Sequence, residues 1–180
     1  MLKKKEVFEA QIKAAELIKK SGIKISDEEV KRIEVVDFGL GNLQKEGAQI
    51  LTFYSTNRAS AKVIVLFPYQ TLPEHWHPQI GNDPGKEETI RVAYGTVYLY
   101  IPGEANIKEG FIPKGKEEYY TARHEIVMKC CDQITLIPGT KHWLQSGEEG
   151  AVMYSFSTCA RDVLDLFSDP HIVRIPKIEE

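Results

Sequence analysis

The segment Pro73-Glu74-His75-Trp76-His77-Pro78 places two histidines one residue apart. Residues i and i+2 of a β-strand point to the same face of the sheet, so both imidazoles can reach one ion. Glu88 follows eleven residues after His77, a spacing that fits a turn and a returning strand. The later segment Pro138-Gly139-Thr140-Lys141-His142 adds a third histidine after a turn. The pattern predicts a metal site of three histidines and one carboxylate.

This ligand set admits several metals and more than one kind of reaction. Neutral imidazoles and a carboxylate suit Mn, Fe, Co, Ni or Zn. Four protein ligands on an octahedral ion leave two adjacent positions open. These positions can chelate a diol or hydroxy-carbonyl, or bind dioxygen beside a substrate. The ligands alone therefore do not separate an isomerase from an oxygenase.

Short β-rich runs separated by turn residues fill the chain around these ligands. Such runs occupy residues 50–54, 62–67, 90–101 (broken at Gly95, which we expect at a tight hairpin), 126–128, 134–137 and 152–156. We also expect His142 to start a strand and residues 172–175 to form an edge strand. Many short strands without helical patterns between them predict an antiparallel barrel or jelly roll. The fold class is therefore mainly β.

The N-terminal region has a different, helical pattern. Phe8, Ile12 and Ala15 recur at helical spacing, and Gly22 follows as a stop. The segment Ser26-Asp27-Glu28-Glu29 predicts a capping box that starts a second helix. We therefore expect one domain over residues 1–180, with a helical extension at 1–35 and a β-barrel at 36–175.

Composition excludes several classes of partner and location. The chain has 180 residues, 42% of them hydrophobic, and a net charge of −3, so nucleic acid is not an expected partner. No apolar run approaches the roughly 18 residues that a membrane span needs, and no apolar segment follows the N-terminal lysines. We therefore expect a cytoplasmic protein without a membrane partner. The three cysteines lack CxxC spacing, so we expect buried or idle thiols.

Motifs in order along nearly the whole chain resemble those of the D-lyxose isomerase family within the cupin superfamily. Six residues separate Glu88 from Gly95, a cupin spacing that favours Glu88 over its neighbour Glu87 as the ligand. The motifs are Val36-Asp37-Phe38-Gly39-Leu40-Gly41, Val65-Leu66-Phe67-Pro68-Tyr69-Gln70, Pro73-Glu74-His75-Trp76-His77-Pro78, Gly85-Lys86-Glu87-Glu88-Thr89, Tyr94-Gly95-Thr96-Val97-Tyr98-Leu99-Tyr100, Thr140-Lys141-His142-Trp143 and Phe167-Ser168-Asp169-Pro170.

The resemblance implies a fold, a cofactor and an activity. The fold would be the cupin double-stranded β-helix, a jelly-roll barrel, with N-terminal helices. The protein would be a Mn²⁺-dependent homodimer that interconverts D-lyxose with D-xylulose, and in many members D-mannose with D-fructose. By the same resemblance His75, His77, Glu88 and His142 hold the metal, and Lys62 matches the family's active-site lysine. Composition alone would instead favour a surface lysine at a strand start for Lys62.

One position departs from the family pattern. Where the resemblance implies a glutamate that transfers the proton, this chain has Ser155, and a hydroxyl is too weak a base to replace a carboxylate. Glu74, Asp162 or a metal-bound hydroxide are the alternatives. Competing functions are a cupin phosphosugar isomerase, an iron dioxygenase and a non-catalytic sugar-binding cupin. Five aromatic residues are candidates to flank a sugar: Trp76, Tyr94, Tyr98, Tyr100 and Trp143.

Overall fold

The computed structural model describes residues 2–179. Its helices are α1 (Lys4–Lys20), α2 (Asp27–Lys31) and a short 3-10 helix (Asp162–Leu164). Its strands are β1 (Leu2–Lys3), β2 (Glu34–Val36), β3 (Ala48–Ser55), β4 (Ala59–Leu66), β5 (Thr71–Trp76), β6 (Glu88–Ile101), β7 (His124–Met128), β8 (Gln133–Leu136), β9 (His142–Thr158), β10 (Leu166–Phe167) and β11 (Ile178–Glu179). Within this range no helix has the length and apolar character needed to span a bilayer.

Strand β9 holds the main sheet together. It pairs antiparallel with β4, β5 and β6, and the nine strands from β2 to β10 form one curled sheet. The predicted start of a strand at His142 and the predicted run at residues 152–156 thus belong to one continuous strand. The mainly β fold class with N-terminal helices is confirmed.

Gly95 lies in the middle of β6 and not at a hairpin, so that expectation was wrong. Its φ is +74°, and the pairing of β6 with β9 shifts register on both sides of it. A Cβ atom at Gly95 would stand 2.0 Å from the carbonyl oxygen of Gly150. The missing side chain therefore lets the two long strands approach and bend together, which curls the sheet.

We expect Gly95→Ala to destabilise the protein by about 2–4 kcal/mol, because the added methyl group meets backbone and the φ is unfavourable. Gly115→Ala is the matched control, since Gly115 also has a positive φ, of +81°, but open space around it. Urea denaturation of both variants measures the difference. Equal free energies of unfolding would show that the approach of Gly95 to Gly150 does not matter.

The β4 strand is buried on both faces. Ile64 and Leu66 point into the barrel, whereas Val63 and Val65 pack in the cluster that contains residues of α1. Side chains alternate along a strand, so Lys62 shares the barrel-facing side with Ile64. Lys62 is 7% exposed, so the alternative of a surface lysine at a strand start was wrong.

Helix α1 exists as predicted, but it buries a different face. Ala10, Ala14, Leu17 and Ile18 are buried against the sheet, whereas Phe8 and Ile12 are 62% and 42% exposed. Small alanines at the contact allow the helix axis to approach the strands closely. The capping box at α2 is confirmed, with the Ser26 hydroxyl accepting from the Glu29 backbone N–H.

One further expectation was wrong. Residues 172–175 form no strand; the chain end instead pairs β11 parallel with β1. Of the two alternatives for the thiols, buried or idle, burial does not hold, because Cys130 and Cys131 are exposed and Cys159 is partly exposed.

Candidate metal centre

The four predicted ligands meet at one end of the barrel. His75 lies near the end of β5, His77 follows that strand, Glu88 begins β6 and His142 begins β9. The β5–β9 pairing makes His75 and His142 direct cross-strand neighbours. The turn at Gly139 supports this geometry, because its backbone N–H donates to the carbonyl oxygen of His77.

The ligand atoms are close enough to share one ion. One nitrogen or oxygen of each of these four side chains lies within 4.8 Å of the others, and all four side chains are buried. The Nε2 atom of His142 is buried and has no hydrogen-bond partner among residues 2–179. A buried nitrogen without a partner is energetically unfavourable, so this atom fits a site that is completed by a metal.

Hydrogen bonds orient the imidazoles. The Nδ1 of His75 donates to the carbonyl oxygen of Pro73 at 2.9 Å, and that of His142 to the carbonyl oxygen of Thr140 at 2.8 Å. Because a carbonyl oxygen accepts a proton from Nδ1, the lone pair of each ring is on Nε2, toward the cluster.

Electrostatics keep two of these rings neutral. Burial lowers the pKa of His142 to about 4 and, together with the charges of His142 and His77, lowers the pKa of His75 well below its ordinary value. Both rings are therefore neutral near pH 7, the form that binds a metal.

The two oxygens of Glu88 have different partners. Burial alone would raise its pKa, but the charge of Lys86 and the hydrogen bond from His77 hold it well below the ordinary value. Oε2 lies 3.0 Å from the Nε2 of His77, whereas Oε1 accepts from the Ser155 hydroxyl. Ser155 therefore positions the carboxylate with one oxygen toward the histidines. A cation between Glu88 and His77 would replace the proton that they share.

Asp165 orients His77 from the far side of its ring. Its Oδ1 accepts from the Nδ1 of His77 at 2.7 Å. Although burial lowers the pKa of His77, the hydrogen bonds to Asp165 and Glu88 raise it above its ordinary value. A carboxylate behind a ligating histidine fixes the ring and makes Nε2 a better donor to a metal.

We expect Asp165→Ala to weaken metal binding by about 10–100-fold, because such orienting partners contribute about that factor. Glu87→Ala is the matched control: Glu87 is an exposed carboxylate beside Glu88. Titration of the metal-free protein with Mn²⁺ by calorimetry measures the affinity. Equal Mn²⁺ affinities in the two variants would contradict the role of Asp165. A large loss of Mn²⁺ affinity in Glu87→Ala would indicate that Glu87 is itself a ligand.

A cluster of charges surrounds Asp162 beside the metal ligands. Its carboxylate contacts the ammonium groups of Lys62 and Lys86 and lies 3.6 Å from Arg174. Burial would raise the pKa of Asp162, but these cations hold it well below its ordinary value. The charges of Glu88 and Asp162 raise the pKa of Lys86 against the effect of burial.

The cavity beside the four ligands has few of the predicted sugar contacts. Lys62 and Asp162 line it, and its aromatic walls are Phe38 and Phe167. None of the five predicted aromatic residues lines the cavity as it stands. Tyr100 and Trp143 are fully buried in a separate cluster with Tyr120, where their rings stack 3.5 Å apart.

Glu74 faces away from this cavity. Its carboxylate accepts hydrogen bonds from Thr121, the backbone of Ala122 and Ser168. Side chains alternate along β5, so Glu74 points opposite to His75. Of the residues that we considered as a base, Asp162 lines the cavity and Glu74 does not.

Sequence reasoning missed Lys86, Asp165 and Arg174. Lys86 carried a usable signal, since it stands two residues before Glu88 and therefore on the same side of an extended chain. Asp165 and Arg174 had no local signal, because long-range contacts bring them to the site. The pairing of β10 with β5 places Asp165, and the hydrogen bond from the Val173 N–H to the Phe38 carbonyl oxygen holds the segment of Arg174.

Comparison with known proteins gives close relatives in sequence. No protein-family model matches the chain. It is 49% identical over 172 residues to the D-lyxose ketol-isomerase of Cohnella laeviribosi, a match that covers 95% of this chain and 94% of the relative. It is 50% identical over 181 residues to the D-lyxose/D-mannose isomerase of Thermosediminibacter oceani, which covers 100% of both.

Similar solved structures share the fold at low sequence identity. The L-ribose isomerase of an Acinetobacter species, in complex with L-ribose, superimposes with a TM-score of 0.82 at 14% identity and covers 99% of this chain and 98% of that one. The ligand-free L-ribose isomerase of Cellulomonas parahominis gives 0.79 at 14% identity with the same coverage. The chain therefore has the same fold as these two L-ribose isomerases.

Proposed function

Because the chain belongs to the D-lyxose isomerase family of cupins, we propose that it is a metal-dependent aldose–ketose isomerase. We propose D-lyxose and D-xylulose as its substrate pair, with D-mannose and D-fructose as a second pair, since one relative is named for both aldoses. The observation that supports this best is the buried cluster of three imidazoles and one carboxylate with an unpartnered Nε2.

The residues that would hold the metal are His75, His77, Glu88 and His142. We propose Mn²⁺, with Fe, Co, Ni and Zn as the alternatives that the same ligands accept. A bound divalent cation would supply Lewis-acid polarisation of the carbonyl and neighbouring hydroxyl oxygens of the sugar. The Lys86 charge and the Ser155 hydroxyl keep Glu88 ionised and oriented for that task.

Proton transfer needs a second group, and we propose the pair of Lys62 and Asp162. Lys62 is the cross-strand neighbour of Ser155, so it stands beside the position that holds glutamate in the resembled family. In the resting state the surrounding cations make Asp162 a weak base. If the Lys62 ammonium turned to a sugar oxygen, Asp162 would lose one compensating charge and its pKa would rise toward a working value.

Substrate entry requires movement of the chain over the cavity. The cavity has a volume of about 40 Å³, room for an ion and a few water molecules but not for an open-chain sugar. Its covering segment is the 3-10 helix Asp162–Leu164 and the residues up to Phe167. We propose that this segment shifts on binding, with Asp162 exchanging its lysine partner for the sugar.

The assembly and location that we propose are a homodimer in the cytoplasm. Strands β2 and β10 end the main path of the sheet, and exposed sheet edges need a cover that a second subunit can provide. Size-exclusion chromatography with light scattering tests the dimer.

The direct test of function is an isomerisation screen of the Mn²⁺-loaded protein. D-lyxose should yield D-xylulose, with elemental analysis of the same sample giving the metal content. Failure to form a ketose from any pentose or hexose would refute the proposal. Turnover with a phosphorylated sugar alone would instead favour the phosphosugar isomerase.

A non-catalytic sugar-binding cupin is the second candidate, because Ser155 replaces the glutamate implied by the family. Calorimetry with D-lyxose would then show binding, while chromatography would recover the sugar unchanged. Under that function Ser155→Glu should create turnover. Turnover by the wild-type protein would exclude this candidate.

A further inference from the structure

A pair of thiols stands on the turn between β7 and β8, apart from the metal centre. Cys130 and Cys131 are both exposed, and their Sγ atoms lie 3.8 Å apart. The turn runs from Lys129 to Asp132, whose backbone N–H donates to the Lys129 carbonyl oxygen. Cys131 takes the position with a φ of +76°, which favours glycine.

The turn is held firmly against β6. The Cys131 N–H donates to the Val92 carbonyl oxygen at 2.9 Å, and the Val92 N–H donates to the Asp132 carbonyl oxygen at 3.0 Å. Arg91 donates to the carbonyl oxygen of Cys131, and the Cys130 thiol donates to that of Ala93. The two sulfur atoms are therefore presented to solvent by a backbone that these contacts fix.

The separation of the sulfurs suits one ion bonded to both. Two bonds of about 2.3 Å, meeting at an angle between a right angle and the tetrahedral value, put their sulfur atoms about 3.3–3.8 Å apart. A disulfide would need about 2.05 Å and a distorted peptide between the residues. Small χ1 rotations of the two cysteines, within one rotamer well, can bring their sulfur atoms from 3.8 Å to the separation that such an ion requires.

The surroundings decide which ion fits. In the part of the chain from 2 to 179, the one group of three or more metal-ligating side chains is the histidine–glutamate cluster. The thiol pair thus offers two sulfurs and no third protein ligand. A divalent cation such as zinc usually takes four ligands, whereas an organic trivalent arsenical completes its valence with two sulfurs and its own carbon.

We propose that Cys130 and Cys131 form a dithiol site for trivalent arsenicals, independent of the proposed isomerase. With phenylarsine oxide, two arsenic–sulfur bonds form, two S–H bonds break, and the arsenical oxygen leaves as water. Arsenic stays trivalent, so no oxidant or reductant is needed. The neighbouring Cys131 thiol raises the pKa of Cys130, so the increase of the uptake rate with pH should extend to higher pH than for an ordinary free thiol.

The test is binding of phenylarsine oxide to the Mn²⁺-loaded protein. Intact-protein mass spectrometry counts the adducts, and competition with a fluorescent arsenical measures the affinity. We expect one adduct per chain that an excess of a monothiol does not remove and a dithiol does. Cys130→Ser and Cys131→Ser should each weaken binding by about 100-fold or more, since the second bond is intramolecular. Cys159→Ser is the matched control and should bind like the wild type.

Serine is nearly isosteric at these exposed positions, and thermal melting verifies that each variant is folded. Wild-type binding no tighter than that of Cys130→Ser, or loss of the adduct in Cys159→Ser, would overturn the proposal. An adduct that monothiols remove from the wild type would do the same.

Discussion

Replacing His142 with alanine should lower the Mn²⁺ affinity by more than about 100-fold. Loss of a residue that only orients a metal ligand costs up to about that factor, and loss of a ligand itself should cost more. His142 contributes the unpartnered Nε2, and its pKa of about 4 keeps it in the ligand form at neutral pH. In the part of the chain that the structure describes, the other members of this group are His75, His77 and Glu88, which already face the same point, so no further ligand there can replace His142. His75→Ala should behave alike, since the two residues are cross-strand partners.

Elemental analysis after dialysis against a fixed free Mn²⁺ concentration measures this effect. His171→Ala is the matched control, because the His171 side chain is 71% exposed and contacts Asp169. Thermal melting without metal separates loss of a ligand from loss of the fold. Metal content equal to wild type in both His142→Ala and His75→Ala would contradict the assignment of the metal centre.

Lys62→Ala should retain the metal and lose about 10²–10⁴ in kcat, the range for removal of a proton-transferring group. Lys62 contacts Asp162 across 100 residues of sequence, and both residues line the cavity. Asp162→Asn should cause a similar loss. Because the two act as a pair, the double variant should be little worse than either single variant.

Steady-state kinetics with D-lyxose, with metal content measured in parallel, tests this expectation. Lys141→Ala is the matched control: it neighbours His142 in sequence, but its ammonium lies over the Trp76 ring, 4.8 Å from the centroid. Turnover of Lys62→Ala within about twofold of the wild-type value would show that Lys62 has a structural role and does not take part in proton transfer. Additive losses in the double variant would separate the two residues into independent roles.

Local spacing in the sequence predicted much of the fold and the centre of the site. The one-residue gap between His75 and His77 directs both imidazoles to the same side of an extended chain, although β5 itself ends at Trp76. The capping box at Ser26 and Glu29 likewise depends on four adjacent residues. Both features were predicted because their geometry is set by backbone periodicity.

Which face of an element is buried could not be predicted in the same way. Helix α1 has apolar residues on more than one side, and contact with the sheet selects Ala14 over Ile12. Tyr100 and Trp143 were as suitable for a sugar pocket as Phe38 and Phe167 by residue type alone. Long-range packing decided that the first pair stacks in a separate cluster and the second lines the cavity.

By itself the sequence determined that a mainly β chain carries three histidines and a glutamate able to share one ion. The tertiary structure alone decided what surrounds them. Asp165 accepts a hydrogen bond from His77, Asp162 contacts the ammonium groups of two lysines, and the Ser155 hydroxyl donates to Glu88. The physical reason is that strand periodicity is a property of neighbouring residues. Ion pairs between distant segments instead depend on the closure of the whole barrel, through the pairing of β5 with β9 and β10.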